Sequence, residues 1–266
     1  MAEPTTNVIE IAELTKFFGG LCAVKGFSLS VPQGALWGLI GPNGAGKTTV
    51  FNLLTGLIPL SSGEIRFRDE RIDGLESFEI TRMGIARTFQ NIRLFSNLSV
   101  LDNVRIAYHA HAGYSLSDSL LRTRKFLGRE KDLTEQALDF LSIFKLDGIA
   151  EETAKNLPYG EQRRVEIARA LACNPALLLL DEPAAGMNPR EIVQLMELIH
   201  FIRDRFKLTI LLIEHQMRVV MGICEFITVM DFGEVIARGT PKEIQGNQTV
   251  IEAYLGKGVA SGAAGR

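Results

Sequence analysis

Histidine, cysteine and tryptophan are scarce in this chain of 266 residues, at four, three and one copies. The cysteines, Cys22, Cys173 and Cys224, are odd in number and far apart in apolar surroundings. That pattern excludes a disulfide framework or a zinc cluster and reads as buried thiols in a reducing compartment. His109, His111 and His200 have no metal-ligand spacing with cysteines or carboxylates, and are expected to be surface or packing residues. A formal net charge of -2 lacks the positive excess of a general nucleic-acid binder, so no nucleic-acid partner is expected. The longest apolar runs, such as Ala176 to Leu180 and Thr209 to Ile213, are too short to span a bilayer. Met1-Ala2-Glu3-Pro4 has no basic region leading into an apolar core, so no signal peptide is expected. There is no internal repeat. A cytosolic chain is expected, with any membrane role reached through a partner.

The chain does have 46% hydrophobic residues, enough for a large core in one domain or a domain plus a subdomain. Val8 to Leu14 and Phe27 to Val31 alternate as half-buried antiparallel strands do. Ala35 to Ile40 is almost continuously apolar, as a strand covered on both faces would be. Lys47 to Leu57 is expected to be a helix and Glu64 to Phe67 an edge strand. From about Ile92 to Asn174 the spacing becomes helical, with helices expected at Leu116 to Gly128, Glu130 to Leu146 and Gly160 to Ala172. Alternation then resumes: strand Leu177 to Leu180, helix Pro189 to Arg205, strand Leu208 to Ile213, helix Gln216 to Cys224. A hairpin across Asp231-Phe232-Gly233 follows, and Gly256 to Arg266 is expected to be a disordered tail.

Between a buried strand and a helix stands Gly41-Pro42-Asn43-Gly44-Ala45-Gly46-Lys47-Thr48, which fits the phosphate-loop pattern G-x-x-x-x-G-K-[ST]. Glycines allow the backbone to wrap a triphosphate with its N–H groups inward, at a helix N-terminus that favours anions. Lys47 is expected on the β- and γ-phosphates and the Thr48 hydroxyl on Mg²⁺, with Thr49 counted in the same nucleotide-binding set. Asp181 and Glu182 follow an apolar strand that cannot hide two adjacent carboxylates, so both should emerge at its carboxyl end. Neighbours on an extended chain point to opposite sides. Asp181 is therefore assigned to Mg²⁺ through a water, and Glu182 to polarising the attacking water. His215 ends another apolar strand, and a γ-phosphate contact is the better reading there. Gln90, where the sheet part gives way to the helical insertion, could touch Mg²⁺ or water, or be an ordinary polar loop residue; position alone leaves both open.

Taken together, these residues resemble the nucleotide-binding subunit of an ATP-binding-cassette transporter, over Val8 to about Gly256. The resemblance implies an α/β fold: a P-loop NTPase core with a parallel sheet, an antiparallel β subdomain and a helical signature subdomain. Its expected division is 1–91 with 175–256 for the core, 92–174 for the helical subdomain and 257–266 for a flexible tail. It makes Gly41 to Thr48 the Walker A loop, Gln90 the Q-loop glutamine, and Leu177 to Asp181 Walker B. By the same likeness Glu182 is the catalytic glutamate, Ala185-Gly186-Met187-Asn188 the D-loop and His215 the switch histidine. Phe18 falls where the family places an aromatic on adenine, with Val24 as an apolar neighbour and Phe17 as the competing candidate. Leu157-Pro158-Tyr159-Gly160-Glu161-Gln162 matches the signature L-S-G-G-Q, which closes over the ATP of the opposite subunit. It departs from that pattern at Pro158, Tyr159 and Glu161, while Asn188 replaces the usual D-loop aspartate; these departures bear on dimer closure.

Within that family the chain is most similar to the LivG-type ATPase of branched-chain amino acid importers. The stretches Arg87 to Phe95, Asp181 to Pro189, Ile213 to Met217 and Val250 to Gly256 carry this likeness. The resemblance implies a Mg²⁺-dependent ATPase, bound to ATP, that powers import. It also implies a second ATPase subunit (identical or a sister chain), transmembrane permease subunits and, indirectly, an external solute-binding protein. The location implied is the cytoplasmic face of the plasma membrane. Urea or amide importers, lipopolysaccharide exporters, soluble cassette proteins and small-molecule kinases are the competing readings.

Overall fold

The computed structural model describes residues 6–108 and 115–260. His109 and His111 lie outside the described residues, as do residues 261–266 of the expected tail. The chain divides into two compact units, Met1–Arg87 with Ala176–Arg266, and Thr88–Pro175.

The first unit holds two sheets. Strands β1 (Asn7–Phe18), β2 (Leu21–Pro32), β4 (Ser62–Phe67) and β5 (Glu70–Arg71) form an antiparallel sheet of order β2-β1-β4-β5. The first two are much longer than alternation alone suggested, because their register shifts repeatedly at bulges and breaks the period-two pattern. The second sheet has order β10-β9-β3-β8-β7-β6, from β3 (Leu36–Ile40), β6 (Ile85–Arg87), β7 (Leu177–Asp181), β8 (Thr209–Ile213), β9 (Phe226–Asp231) and β10 (Glu234–Gly239). All its pairings are parallel except that of β9 with β10. Every residue of β7 and β8 is buried, which is why both read as unbroken apolar runs. Leu177, Leu179, Leu211 and Ile213 share one core with helix α1 (Lys47–Leu54) and the antiparallel sheet. The intervening residues of those strands point to the opposite face. Strand β6 and helix α2 (Ser77–Met83) were not evident in the sequence.

Helices α7 (Pro189–Phe206) and α8 (Met217–Ile223) follow β7 and β8. The turn between β9 and β10 consists of Phe232 and Gly233, both at positive φ, one residue tighter than expected. Helices α9 (Pro241–Gln245) and α10 (Gln248–Ala260) complete the unit. For residues 256–260 this corrects the tail reading, since the backbone there is helical.

The second unit is built from α3 (Val100–Tyr108), α4 (Leu116–Leu120), α5 (Arg124–Ile143) and α6 (Tyr159–Ala172). The expected break near Gly128 is a second correction. The chain breaks at 121–123, where Arg122 takes a positive φ and the Thr123 hydroxyl accepts from the Phe126 N–H to cap α5. Gly128 sits inside α5, whose buried residues Leu133, Ala137 and Leu141 recur every four positions.

Candidate active site

The site of the first unit gathers at the carboxyl ends of the central parallel strands. β3, β8 and β7 are adjacent and parallel, so the chain segments leaving their carboxyl ends emerge side by side. After β3 comes the glycine-rich loop. Gly41 and Gly46 have φ of 150° and 102°, and a Cβ would lie 2.1 Å from the Met230 carbonyl oxygen and 2.6 Å from that of Ala23. Only glycine fits at these two positions, because the loop is pressed onto β9 at Gly41 and onto β2 at Gly46. The Gly233 N–H donates to the Ala45 carbonyl and the Lys25 N–H to that of Gly233.

Buried Lys47 folds back over this loop, with Nζ donating to the Gly41 carbonyl at 2.7 Å and that of Pro42 at 3.0 Å. No side chain caps the N-terminus of α1, where Thr48 is exposed and Thr49 half-buried. Asn43 and Gly44 are also exposed on the loop, while Gly41, Pro42 and Ala45 are buried in it. A curled loop with an uncapped helix N-terminus and an ammonium is suited to a polyphosphate. Val24, fully buried in the core, packs behind the loop against Gly46. Phe17 and Phe18 end β1 and are 50% and 48% exposed, so burial does not choose between them. Lys16 lies 5.1 Å from the Phe18 ring centre.

At the end of β7, buried Asp181 accepts from Arg87 at 2.7 Å. The Arg87 guanidinium also donates to Asn52 of α1 at 2.8 Å and lies 5.5 Å from the Phe51 ring centre. Glu182 adopts a left-handed φ of 45° and donates its N–H to the Ile213 carbonyl at 2.9 Å. A non-glycine residue held there is strained, and such positions cluster at functional sites. The turn brings the Glu182 carboxylate to 3.4 Å from His215 Nδ1, so these two predicted residues meet.

Glu214, beside His215, is fully buried, and burial pushes its carboxyl upward while backbone N–H donors oppose the shift. Its Oε1 accepts from the Ala184 N–H at 2.8 Å, and its Oε2 from the N–H groups of His215 and Gln216. The roles of Arg87, Glu214 and Gln216 escaped the sequence reading, although all three stand in stretches singled out there.

Within the helical unit, the backbone of Gln90 is joined to α6. Arg163 of α6, fully buried, donates to the carbonyls of Phe89 at 2.7 Å and Gln90 at 2.8 Å. It also donates to the Tyr159 hydroxyl at 3.0 Å and pairs with Glu166 at 2.7 Å. Glu166 in turn accepts from the Arg93 N–H at 3.1 Å. Tyr159, expected from the sequence to replace a signature glycine, is thus part of the polar network that holds the Gln90 backbone. Pro158 is the N-cap of α6 and offers no side-chain acceptor, Gly160 lies in the first turn, and Glu161 donates its N–H back to the Pro158 carbonyl.

A glycine-rich loop on a parallel sheet, beside two carboxylates and a histidine, defines a P-loop nucleoside triphosphatase. The ABC transporter family profile matches residues 24–185, and a branched-chain amino acid ATP-binding cassette transporter profile matches residues 234–260. The chain is 44% identical over 250 residues to the high-affinity branched-chain amino acid transport ATP-binding protein BraF of Pseudomonas aeruginosa, covering 94% of this chain and 98% of that one. It is 44% identical over 257 residues to LivG of Escherichia coli strain K12, covering 97% and 100%. The crystal structure of an ATP-binding cassette of an ABC transporter in its ADP conformation superimposes with a TM-score of 0.82 at 31% identity, over 95% of this chain and 100% of that one. The chain belongs to the ABC transporter ATP-binding family and is an ABC ATPase.

Proposed function

We propose that this chain is the energy-coupling ATPase of a branched-chain amino acid importer. The observation that carries the chemistry is the Glu182–His215 contact on adjoining strand ends next to the glycine-rich loop. The cargo rests on the 44% identity to BraF and LivG and on the separate match at the C-terminal end.

In this reading Lys47 and the loop N–H groups bind the β- and γ-phosphates, and Phe18 stacks on adenine near Val24. Thr48 and Asp181 supply hard oxygen donors that suit Mg²⁺. Among the described residues no three His, Cys, Asp or Glu side chains form a metal cluster of their own. That donor set fits Mg²⁺, which usually takes one or two protein oxygens and completes its shell with phosphate and water. When bound, the ion would neutralise charge on the phosphates. Glu182 orients and polarises the attacking water, and His215 holds the γ-phosphate side of the site. The signature segment from Pro158 to Glu161 covers the ATP of a second subunit, identical or a sister chain, through the α6 N-terminus.

No described helix is long and apolar enough to cross a membrane. The likeness to BraF and LivG supports permease subunits that hold the chain at the cytoplasmic face, with a solute-binding protein outside.

The test is radiolabelled leucine uptake in the native cell, with Lys47→Ala compared with wild type and membrane content followed by immunoblot. Loss of uptake with the protein still at the membrane supports the reading. Unchanged uptake, with duplicate transporters deleted, removes branched-chain amino acids as cargo and leaves urea, amides or lipopolysaccharide to be tried.

A further inference from the structure

The two side chains flanking His215 grip the same residue of the neighbouring turn. Glu214 Oε1 accepts from the Ala184 N–H at 2.8 Å, and Gln216 Nε2 donates to the Ala184 carbonyl at 3.0 Å. Ala184 is fully buried, two residues beyond Glu182, in a turn closed by the Ala185 N–H on the Glu182 carbonyl. The second oxygen of Glu214 holds the backbone N–H groups of His215 and Gln216. One buried carboxylate thus spans both turns, and one amide closes the pair from the other side.

We infer that Glu214 and Gln216 are positioning residues that lock the Glu182 turn to the His215 turn, fixing the catalytic carboxylate relative to its histidine. Donors and acceptors match in both contacts. A carboxylate only accepts, so it suits the three N–H groups facing Glu214, whereas a carboxamide also donates, as the Ala184 carbonyl requires. Glu182 takes a left-handed conformation that its own side chain disfavours, so neighbouring structure must hold it. Strand pairing ends with Asp181 against Ile213, leaving this polar clamp to continue the registration beyond the sheet. Small displacements of reacting groups matter: a shift of about 1 Å can cost about a hundredfold in rate.

The inference rests on the ATPase reading, and its test separates the two. Gln216 is half-buried, so its variants should fold even where a Glu214 variant does not. In the assembled transporter, Gln216→Ala should lower kcat several-fold, and Gln216→Glu by roughly tenfold to a hundredfold, because an acceptor then faces the Ala184 carbonyl. KM and Kd for ATP should stay within about twofold for both, since uniform binding is untouched. Glu214→Gln, which turns an NH₂ toward an N–H, should behave like Gln216→Glu. If Gln216→Glu retains wild-type kcat while Glu182→Gln is inactive, the clamp is not a positioning device and the inference fails alone. If kcat falls only in step with ATP affinity or with loss of folded protein, the role is general packing and the inference likewise fails. If Glu182→Gln itself hydrolyses ATP normally, the underlying ATPase assignment of that residue fails first.

Discussion

Arg87, the last residue of β6, and Asp181, the last residue of β7, form an ion pair at 2.7 Å whose side chains are almost wholly buried. The pair ties the end of β7 to α1 through Asn52, and so to the helix that begins at Lys47.

Breaking a buried pair from one side strands a charge. Arg87→Met should therefore destabilise the protein by about 3–5 kcal/mol, measured by urea denaturation. Adding Asp181→Asn to Arg87→Met should recover a large part of that loss. Additive losses in this double-mutant cycle would show that the two residues do not act as a pair.

Glu182→Gln should bind ATP with near wild-type affinity and lose about 10²–10⁴-fold in turnover, the range for removing a positioned general base. Steady-state phosphate release, with nucleotide binding followed separately, checks both halves of the statement. A near-normal rate would remove Glu182 from the catalytic role.

Arg163 and Glu166 are both fully buried and hold the backbone of Phe89, Gln90 and Arg93. Glu166→Ala should speed amide hydrogen exchange at residues 89–93 and in the first turns of α6 together. Protection lost in only one of these segments would mean that they are not mechanically joined.

Burial, with the nearby Glu214 and Glu225 carboxylates adding to it, pushes the Cys224 thiol from 9.0 up to about 12. Between those values the unfolded chain releases a proton that the folded chain keeps. Stability should then be intact below pH 9 and fall as pH rises toward 12, by at most tenfold in the folding equilibrium per pH unit. Burial raises Tyr254 to about 12 as well, adding to the same decline above pH 10. Cys224→Ala should flatten the slope between pH 9 and 10 in chemical denaturation series. An unchanged slope in that variant would show that Cys224 does not set it.

Features that depend on local composition were legible in the sequence. The glycine-rich loop declares itself because closely approached backbone excludes any side chain at Gly41 and Gly46. The strands before Asp181 and His215 are legible because burial on both faces demands unbroken apolar residues. The ends of α4 and α5 were misplaced because capping by Thr123 outweighed the modest helix cost of Gly128. The full length of β1 and β2 was hidden for a different reason, since bulges destroy the alternation by which strands are recognised.

By itself, the sequence determined the phosphate loop, the two carboxylates and the histidine, because each must stand at a strand end in a recognisable local pattern. Tertiary structure alone decided which polar groups those residues meet. Arg87 finds Asp181 across 94 positions because β6 pairs with β7. Ala184 is gripped by Glu214 and Gln216 because β7 pairs with β8. Such contacts depend on strand order and register, and a buried charge is satisfied by whatever donor the folded chain brings within about 3 Å of it.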